Sequence, residues 1–346
     1  MEGDASLLNI EEINHTSLSF QIRDICVGAD PYVFKRNDVW HLLLQEDFNP
    51  DPGAHEGIKG YTIRRASNIE DLKQAEPTAL LVSEQPPGLK QVWAAEIHFD
   101  SYMYVAMSDG DNHTHRMHVY HTDGDLIGPW HYLGPLQVPE QDDRWAIDLT
   151  LAVIKIGEVD RMYAVWSGWD HVIEDNVPNL YEHIVPQNIY IAEFFTPTTI
   201  GPRHLLLRPE GEWCCSVASI LEGPQTLTLE GEFKGILVTG NASWTEQYAT
   251  SVLQYMGGDP LQATSWSLHA DLLFKGGHGI GHGMIVEDGD QLYYVGHRKT
   301  VRMHGWSDRM VFYTPLPKAV FLEYLKGGTS ETSVSEKNNN SYENIT

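Results

Sequence analysis

Three acidic side chains stand before separate strand-like runs, far apart in the chain. They are Asp30, Asp148 and Glu222. A closed β repeat would bring such strand starts together on its axis. Glycoside hydrolysis needs converging carboxyl groups, one protonated to donate a proton and one ionised to activate water. These three acids are therefore the candidate catalytic residues.

The charge balance of the chain restricts its partners. The 346 residues include 23 Lys and Arg against 48 Asp and Glu, which gives a formal net charge of -25. Nucleic acid and anionic membrane surfaces repel so acidic a protein. No apolar run reaches the length of about 18 residues that a membrane span needs. We therefore expect a small-molecule or oligosaccharide substrate, no nucleic-acid or membrane partner, and a monomer.

The three cysteines, Cys26, Cys214 and Cys215, have no metal-ligand spacing and exclude a disulfide framework. Buried thiols are expected, with one isolated bridge as the alternative. The first residues lack the basic and apolar parts of a secretory signal, whereas five Asn-X-Ser/Thr sequons would suit a secreted protein. Localisation stays open between the cytoplasm and secretion after removal of a signal peptide.

Short β-branched and aromatic runs bounded by Gly, Asp, Asn or Pro recur along the chain, which is typical of a turn-rich β protein. Five landmarks open successive modules: Asp30, Glu96, Asp148, Glu222 and His282. They lie 52 to 74 residues apart, and about four strands fit into each interval. Such a period predicts an all-β, single-domain, five-bladed β-propeller whose first strands line the axis.

The ends of the chain differ from its middle. Residues 1–24 are expected to form an N-terminal segment that could supply a ring-closing strand. The propeller is expected over residues 25–326. Residues 327–346 are poor in apolar side chains, and a disordered tail is expected there.

Several motifs occur in order at the spacing of the modules, over about residues 25 to 320. They are Asp30–Pro31, Val92–His98, Trp145–Asp148, Trp166–Trp169, Gln187–Ala192, Glu222–Gln225 and Gly281–His282. This set resembles glycoside hydrolase family 43, the five-bladed propeller arabinosidases and xylosidases. It is most similar to the α-L-arabinofuranosidase branch of fungal and bacterial enzymes.

The resemblance implies a role for each acid. Asp30 would be the general base, Glu222 the general acid, and Asp148 the carboxylate that orients and tunes the acid. An acid and a base with a water between them invert the anomeric centre. The implied activity is removal of terminal α-L-arabinofuranosyl residues, or of β-xylosyl residues.

The resemblance also implies a set of substrate-binding residues, and no cofactor is required for the chemistry. His282 matches a histidine that commonly neighbours an ion on the axis, so it is the candidate ligand of a structural calcium. The substrate-binding candidates are Trp93, Glu96, Trp169, Gln187, His282 and Arg309.

Departures from the family pattern leave a second function open. Ala95, Ile280 and Gly283 replace family residues, and Cys214 and Cys215 stand where an acid is usual. These changes make the expected cavity less polar. The alternative is a hydrolase-derived propeller that binds a hydrophobic small molecule, as a non-hydrolytic enzyme of cyclisation or pericyclase type in fungal secondary metabolism.

Overall fold

The computed structural model describes residues 9–10, 20–46, 60–82, 88–170, 185–300 and 308–327. Strands dominate the fold. The first three are β1 (Asn9–Ile10), which pairs with β2 (Phe20–Gln21), and β3 (Arg23–Val27). Strand β3 and the later strands form five antiparallel sheets of four or five strands each, and β3 belongs to one of them. We call these sheets blades 1 to 5, in the order in which their first strands occur.

The blades follow one another along the chain. Blade 1 contains β4 (Tyr32–Arg36), β5 (Val39–Glu46), β6 (Gly60–Ala66) and β7 (Thr78–Ala79). Blade 2 contains β8 (Gln91–His98), β9 (Tyr102–Ser108), β10 (Arg116–His121) and β11 (His131–Pro135). Blade 3 contains β12 (Ala146–Ile156), β13 (Val159–Trp169), β14 (Gln187–Thr196), β15 (Thr199–Ile200) and β16 (His204–Leu207). Blade 4 contains β17 (Leu221–Leu229), β18 (Glu232–Gly240), β19 (Ala249–Tyr255) and β20 (Trp266–Leu268). Blade 5 contains β21 (Gly281–Asp288), β22 (Gln291–Lys299) and β23 (Arg309–Leu316), with β3 as its outer strand.

The first strands of the blades lie side by side around an axis. Strand β8 contacts β12, β12 contacts β17, β17 contacts β21, and β21 contacts β4. Between blades 1 and 2 the contact is made by β5 and β8. The predicted single-domain, five-bladed β-propeller is therefore confirmed.

Blade 5 is completed by a strand from the opposite end of the chain. Val27 and Cys26 of β3 pair with Met310 and Val311 of β23. This pairing joins the two ends of the propeller and covers an edge that would otherwise be open. The strand crosses the predicted boundary at residue 24. Most of the predicted N-terminal segment and residues 328–346 of the predicted tail lie outside the described residues.

The blades pack face to face, so their middle strands are buried on both sides. Leu42–Leu44, Met103–Met107 and Tyr163–Trp169 are buried without interruption. This explains why the sequence shows short continuous apolar runs rather than strict alternation. The α-helices among the described residues are α1 (Glu212–Cys215) and α2 (Lys318–Gly327). No helix in the described ranges is long and apolar enough to cross a membrane.

A backbone irregularity recurs at the start of the first strands. In blades 2 to 5 the pairing of the first strand with the second shifts near the start of the first strand, which is a β-bulge. The bulges contain Asp148, Gly223 and His282, whose φ angles are 56°, 53° and 43°. Asp30 has a φ of 50° just before β4. These left-handed residues are uncommon outside glycine, and they lie where the strands approach the axis.

Candidate active site

His282 lies between two of the predicted catalytic acids. Its Nδ1 atom is 3.1 Å from Oδ1 of Asp30 and 4.0 Å from Oδ2 of Asp148. The backbone N–H of His282 donates to Oγ1 of Thr239 at 3.0 Å, which fixes the start of β21 against blade 4. The bulges of blades 3 and 5 and the residue that precedes β4 in blade 1 therefore bring these groups to one point.

The carboxylates around His282 keep it charged. Burial alone would lower the pKa of this imidazole, but the charges of Asp30 and Asp148 raise that pKa to about 10. His282 is thus an imidazolium across the pH range in which a typical enzyme works. It supplies a positive charge inside a pocket of acids.

Asp30 is held in its ionised form. Burial would raise the pKa of its carboxyl group, but His282 and Arg309 outweigh burial and hold the pKa well below its usual value. The guanidinium of Arg309 lies 3.6 Å from Oδ1 of Asp30. The structure therefore brings the predicted residue Arg309 to the candidate base, and the base carries a full negative charge.

His297, on β22 of blade 5, contacts Asp30. Nδ1 of His297 lies 3.2 Å from the backbone N of Asp30 and 3.2 Å from Oδ1 of the same residue. Burial lowers the pKa of His297 to about 4. Its ring stacks on Tyr248 with centroids 5.5 Å apart. The two adjacent histidines thus have opposite charge states, His282 charged and His297 neutral.

Glu222 has the opposite electrostatic character to Asp30. Burial and the neighbouring Asp148 raise the pKa of Glu222 to about 7. Its Oε1 accepts a hydrogen bond from the Tyr248 hydroxyl at 2.9 Å, and its Oε2 accepts one from Nε2 of Gln187 at 3.0 Å. The predicted site residue Gln187 therefore contacts the candidate acid itself. Glu222 can carry a proton near neutral pH.

Asp148 links the two halves of the site. Its Oδ2 accepts the backbone N–H of Gly223 at 2.9 Å, directly beside Glu222. Burial raises the pKa of Asp148 to about 6, with His282 acting in the opposite direction. Asp148 therefore orients the backbone that carries Glu222, and any negative charge on it disfavours ionisation of that acid.

Glu96 belongs to a second hydrogen-bonded group, which lines the same cavity as Asp30 and Asp148. Its Oε1 accepts from Nε2 of Gln225, and its Oε2 lies 2.8 Å from Nε2 of His98. Glu96, Gln225, Asp30, Asp148 and His282 line a cavity of about 230 Å³, part of which is open to solvent. Sequence reasoning missed Gln225 and Tyr248 as site residues, because their roles depend on contacts between blades.

The donor set around His282 does not fit calcium. Ca²⁺ takes 6–8 oxygen ligands, whereas the nearest histidine nitrogen faces Asp30 and both oxygens of Glu96 already have partners. Over the described residues, no group of three or more His, Cys, Asp and Glu side chains is placed to hold a metal. The imidazolium supplies the positive charge at this point.

The two predicted tryptophans differ in what they can offer a ligand. Trp93 lies in the bulge of β8 and is partly exposed, with one face stacked on His115 at a centroid distance of 3.6 Å. Trp169 is only 3% exposed and stacks on Trp145 at 4.2 Å. Trp93 can therefore present a face to a sugar, whereas Trp169 supports the wall of the site.

Comparison with known proteins agrees with this geometry. The family described as Glycosyl hydrolases family 43 matches residues 29–315. No curated protein sequence matches the chain significantly.

Solved structures show the same fold at low sequence identity. A thermostable family-43 glycoside hydrolase has a TM-score of 0.63 at 18% identity, over 89% of this chain and 92% of its own. An exo-1,5-α-L-arabinanase from a bovine ruminal metagenomic library has a TM-score of 0.55 at 16% identity, over 85% and 95%. A β-xylosidase/α-arabinofuranosidase from a compost microbial metagenome has a TM-score of 0.55 at 15% identity, over 85% and 93%.

Gly223 gives a test of how closely the site is packed. A Cβ atom there would lie 2.9 Å from Cγ of His282, at a φ of +53°. We expect Gly223→Ala to displace His282 or break the hydrogen bond to Asp148, and to lower kcat/KM about a hundredfold. Gly231→Ala is the matched control, because its φ is +75° but nothing lies within 4 Å. Both variants should lose about 1–2 kcal/mol of stability from the left-handed backbone. Equal activity in the two variants would contradict the packing argument.

Proposed function

The chain belongs to glycosyl hydrolase family 43, and we propose that it is an inverting, exo-acting glycosidase that removes terminal α-L-arabinofuranosyl residues. β-Xylosides are the sister substrates. The observation that carries the proposal is the opposite protonation of Asp30, ionised, and Glu222, protonated near neutrality. We propose that it acts as a monomer on an oligosaccharide or small glycoside.

The proposed reaction uses the two carboxyl groups in a single displacement. Asp30 takes a proton from a water molecule as that water attacks the anomeric carbon. Glu222 gives its proton to the departing glycosidic oxygen. Asp148 holds the backbone beside Glu222 in place. Negative charge thereby moves from Asp30 to Glu222, and the anomeric configuration is inverted.

Exo action is part of the proposal because of where the acids lie. Asp30 and Asp148 line a small cavity near the propeller axis, which the end of a saccharide chain can approach more readily than its interior. Trp93 lies in the bulge of β8, directly before the cavity residue Ala94, and the guanidinium of Arg309 lies 3.6 Å from Asp30. These two side chains are our candidates for recognition of the sugar ring.

Substitution of the two acids separates their roles. On an arabino-oligosaccharide, Glu222→Gln should lower kcat by about 10²–10⁴-fold, the usual contribution of a general acid. On p-nitrophenyl α-L-arabinofuranoside the loss should be smaller, because p-nitrophenolate leaves without a proton. Asp30→Asn should lower both rates alike. Glu158→Gln is the control, since Glu158 is 97% exposed.

Assays on a panel of arabinosides, xylosides and galactosides also distinguish the alternative function. The wild-type protein should release p-nitrophenol from the arabinofuranoside, and NMR of early products should show the inverted anomer. Failure to hydrolyse arabinosides, xylosides and galactosides at any pH from about 4 to 8 would overturn the proposal. The non-hydrolytic enzyme with a hydrophobic ligand would then be the remaining reading.

The pKa values of the two acids predict the pH profile. The rate requires Asp30 ionised and Glu222 protonated, so kcat/KM should be flat on the acidic side and fall as pH rises through about 7.

Tyr248→Phe removes a hydrogen bond that favours the ionised form of Glu222, so the alkaline limb should move to higher pH. A bond worth about 1 kcal/mol corresponds to a shift of about 0.7 units.

Tyr255→Phe controls for the loss of a tyrosine hydroxyl in blade 4, because its hydroxyl bonds to the carbonyl of Gly258, away from the acids. Its profile should match the wild type. An alkaline limb that stays in place in Tyr248→Phe would show that Glu222 does not control it.

Catalysis by this site requires no cofactor in our proposal. Exhaustive EDTA treatment should therefore leave kcat/KM within about twofold of the untreated protein, since the charge beside Asp30 and Asp148 comes from His282. The measurement pairs activity with the melting temperature. A lower melting temperature that calcium restores would place a structural ion on the axis, and loss of activity that calcium restores would contradict the proposal.

A further inference from the structure

A second cleft lies between blades 2 and 3. It encloses about 430 Å³, part of it open to solvent. Arg116 begins β10, Pro135 ends β11 and Ala146 begins β12, so the cleft lies at the same end of the blades as Asp148. Its apolar lining comes from Leu136, Val138, Leu149, Trp166 and Ile200.

Four charged residues line this cleft, and among the described residues all of them except Arg144 have an ion-pair partner. Asp143 accepts a hydrogen bond from Nε of Arg116 at 2.6 Å. Asp142 is 3.6 Å from Nε of Arg203 and also accepts the backbone N–H of Arg203. Each of the two acids thus has its own arginine, and the cleft retains one further cation, Arg144.

Arg144 has no counter-ion among the described residues. Its Nε atom is buried and makes no hydrogen bond. A buried polar group without a partner is destabilising, and more so when it carries charge. Arg144 is partly exposed at the cleft. In a chain with a formal charge of -25, an arginine without an acidic partner in the described part of the chain is unusual. A ligand that brings an anion would satisfy it.

We propose that this cleft binds a uronic acid residue, with its carboxylate on Arg144 and its ring against the apolar lining. A guanidinium holds a carboxylate through two parallel hydrogen bonds, and an apolar wall suits the C–H face of a pyranose ring. The choice of a sugar acid rests on the proposed function. The cleft would then bind an acidic polysaccharide beside the active site.

Binding is measured without turnover, so the outcome does not depend on the proposed hydrolysis. In a Glu222→Gln background, isothermal titration calorimetry compares methyl β-D-glucuronoside with methyl β-D-glucoside, which has the same ring without the carboxylate. We expect the glucuronoside to bind about tenfold more tightly. Adding Arg144→Gln should abolish this preference, and adding Arg144→Lys should weaken it.

Arg161→Gln is the matched control, because Arg161 is an exposed arginine of blade 3 that faces Glu193. It should keep the preference, and melting temperatures should verify that every variant is folded. Equal binding of the two glycosides would overturn the proposal, as would a preference that survives Arg144→Gln. Competition by inorganic phosphate as strong as that by the glucuronoside would also overturn it, because it would indicate an anion site without sugar recognition.

Discussion

The site depends on one buried cation, the imidazolium of His282. Carboxylates that share a buried pocket raise one another's pKa values. His282 lies 3.1 Å from Asp30 and 4.0 Å from Asp148, so its charge is not shared equally among the acids. Asp30 receives most of it and stays ionised, whereas Glu222 contacts neutral donors and keeps a pKa of about 7. The unequal distances from His282 to the acids thus give Asp30 a low pKa, as a base needs, and leave Glu222 with a raised pKa, as an acid needs.

The propeller produces this asymmetry by placing different residues at one repeated backbone position. The bulges of blades 2, 3, 4 and 5 carry Trp93, Asp148, Gly223 and His282 at matching positions of their first strands. The glycine is required, because a side chain there would collide with His282. Blade 4 therefore supplies its acid from the preceding residue, Glu222. The backbone of the first strands is similar in these blades, and the active site is asymmetric because each bulge carries a different residue.

The sequence predicts the propeller, because the residues that begin and end strands are a local signal, and the contacts of His282 bring Asp30 and Asp148 together as the spacing predicts. It does not predict the register at the axis. By spacing, the landmarks Glu96 and Glu222 are equivalent to Asp148. In the structure, Glu222 precedes the matching bulge position and Glu96 lies three residues beyond it. A bulge adds a residue that no period in the sequence reveals. The positions of His297 and Gln225 were equally hidden, since each acts through a contact with another blade.

The hydrogen bonds on Glu222 gain importance as the proposed reaction proceeds. Proton transfer to Asp30 and from Glu222 leaves the total charge of the pocket unchanged, but it moves the negative charge away from His282. The donors that meet it are the hydroxyl of Tyr248 and the amide of Gln187, both in place before the reaction. Donors aimed at the atom where charge develops stabilise the transition state more than the ground state. Tyr248 stacks on His297, and His297 in turn contacts Asp30. The orientation of the donor to Glu222 is thus linked to the position of the base, because both residues contact the same imidazole ring.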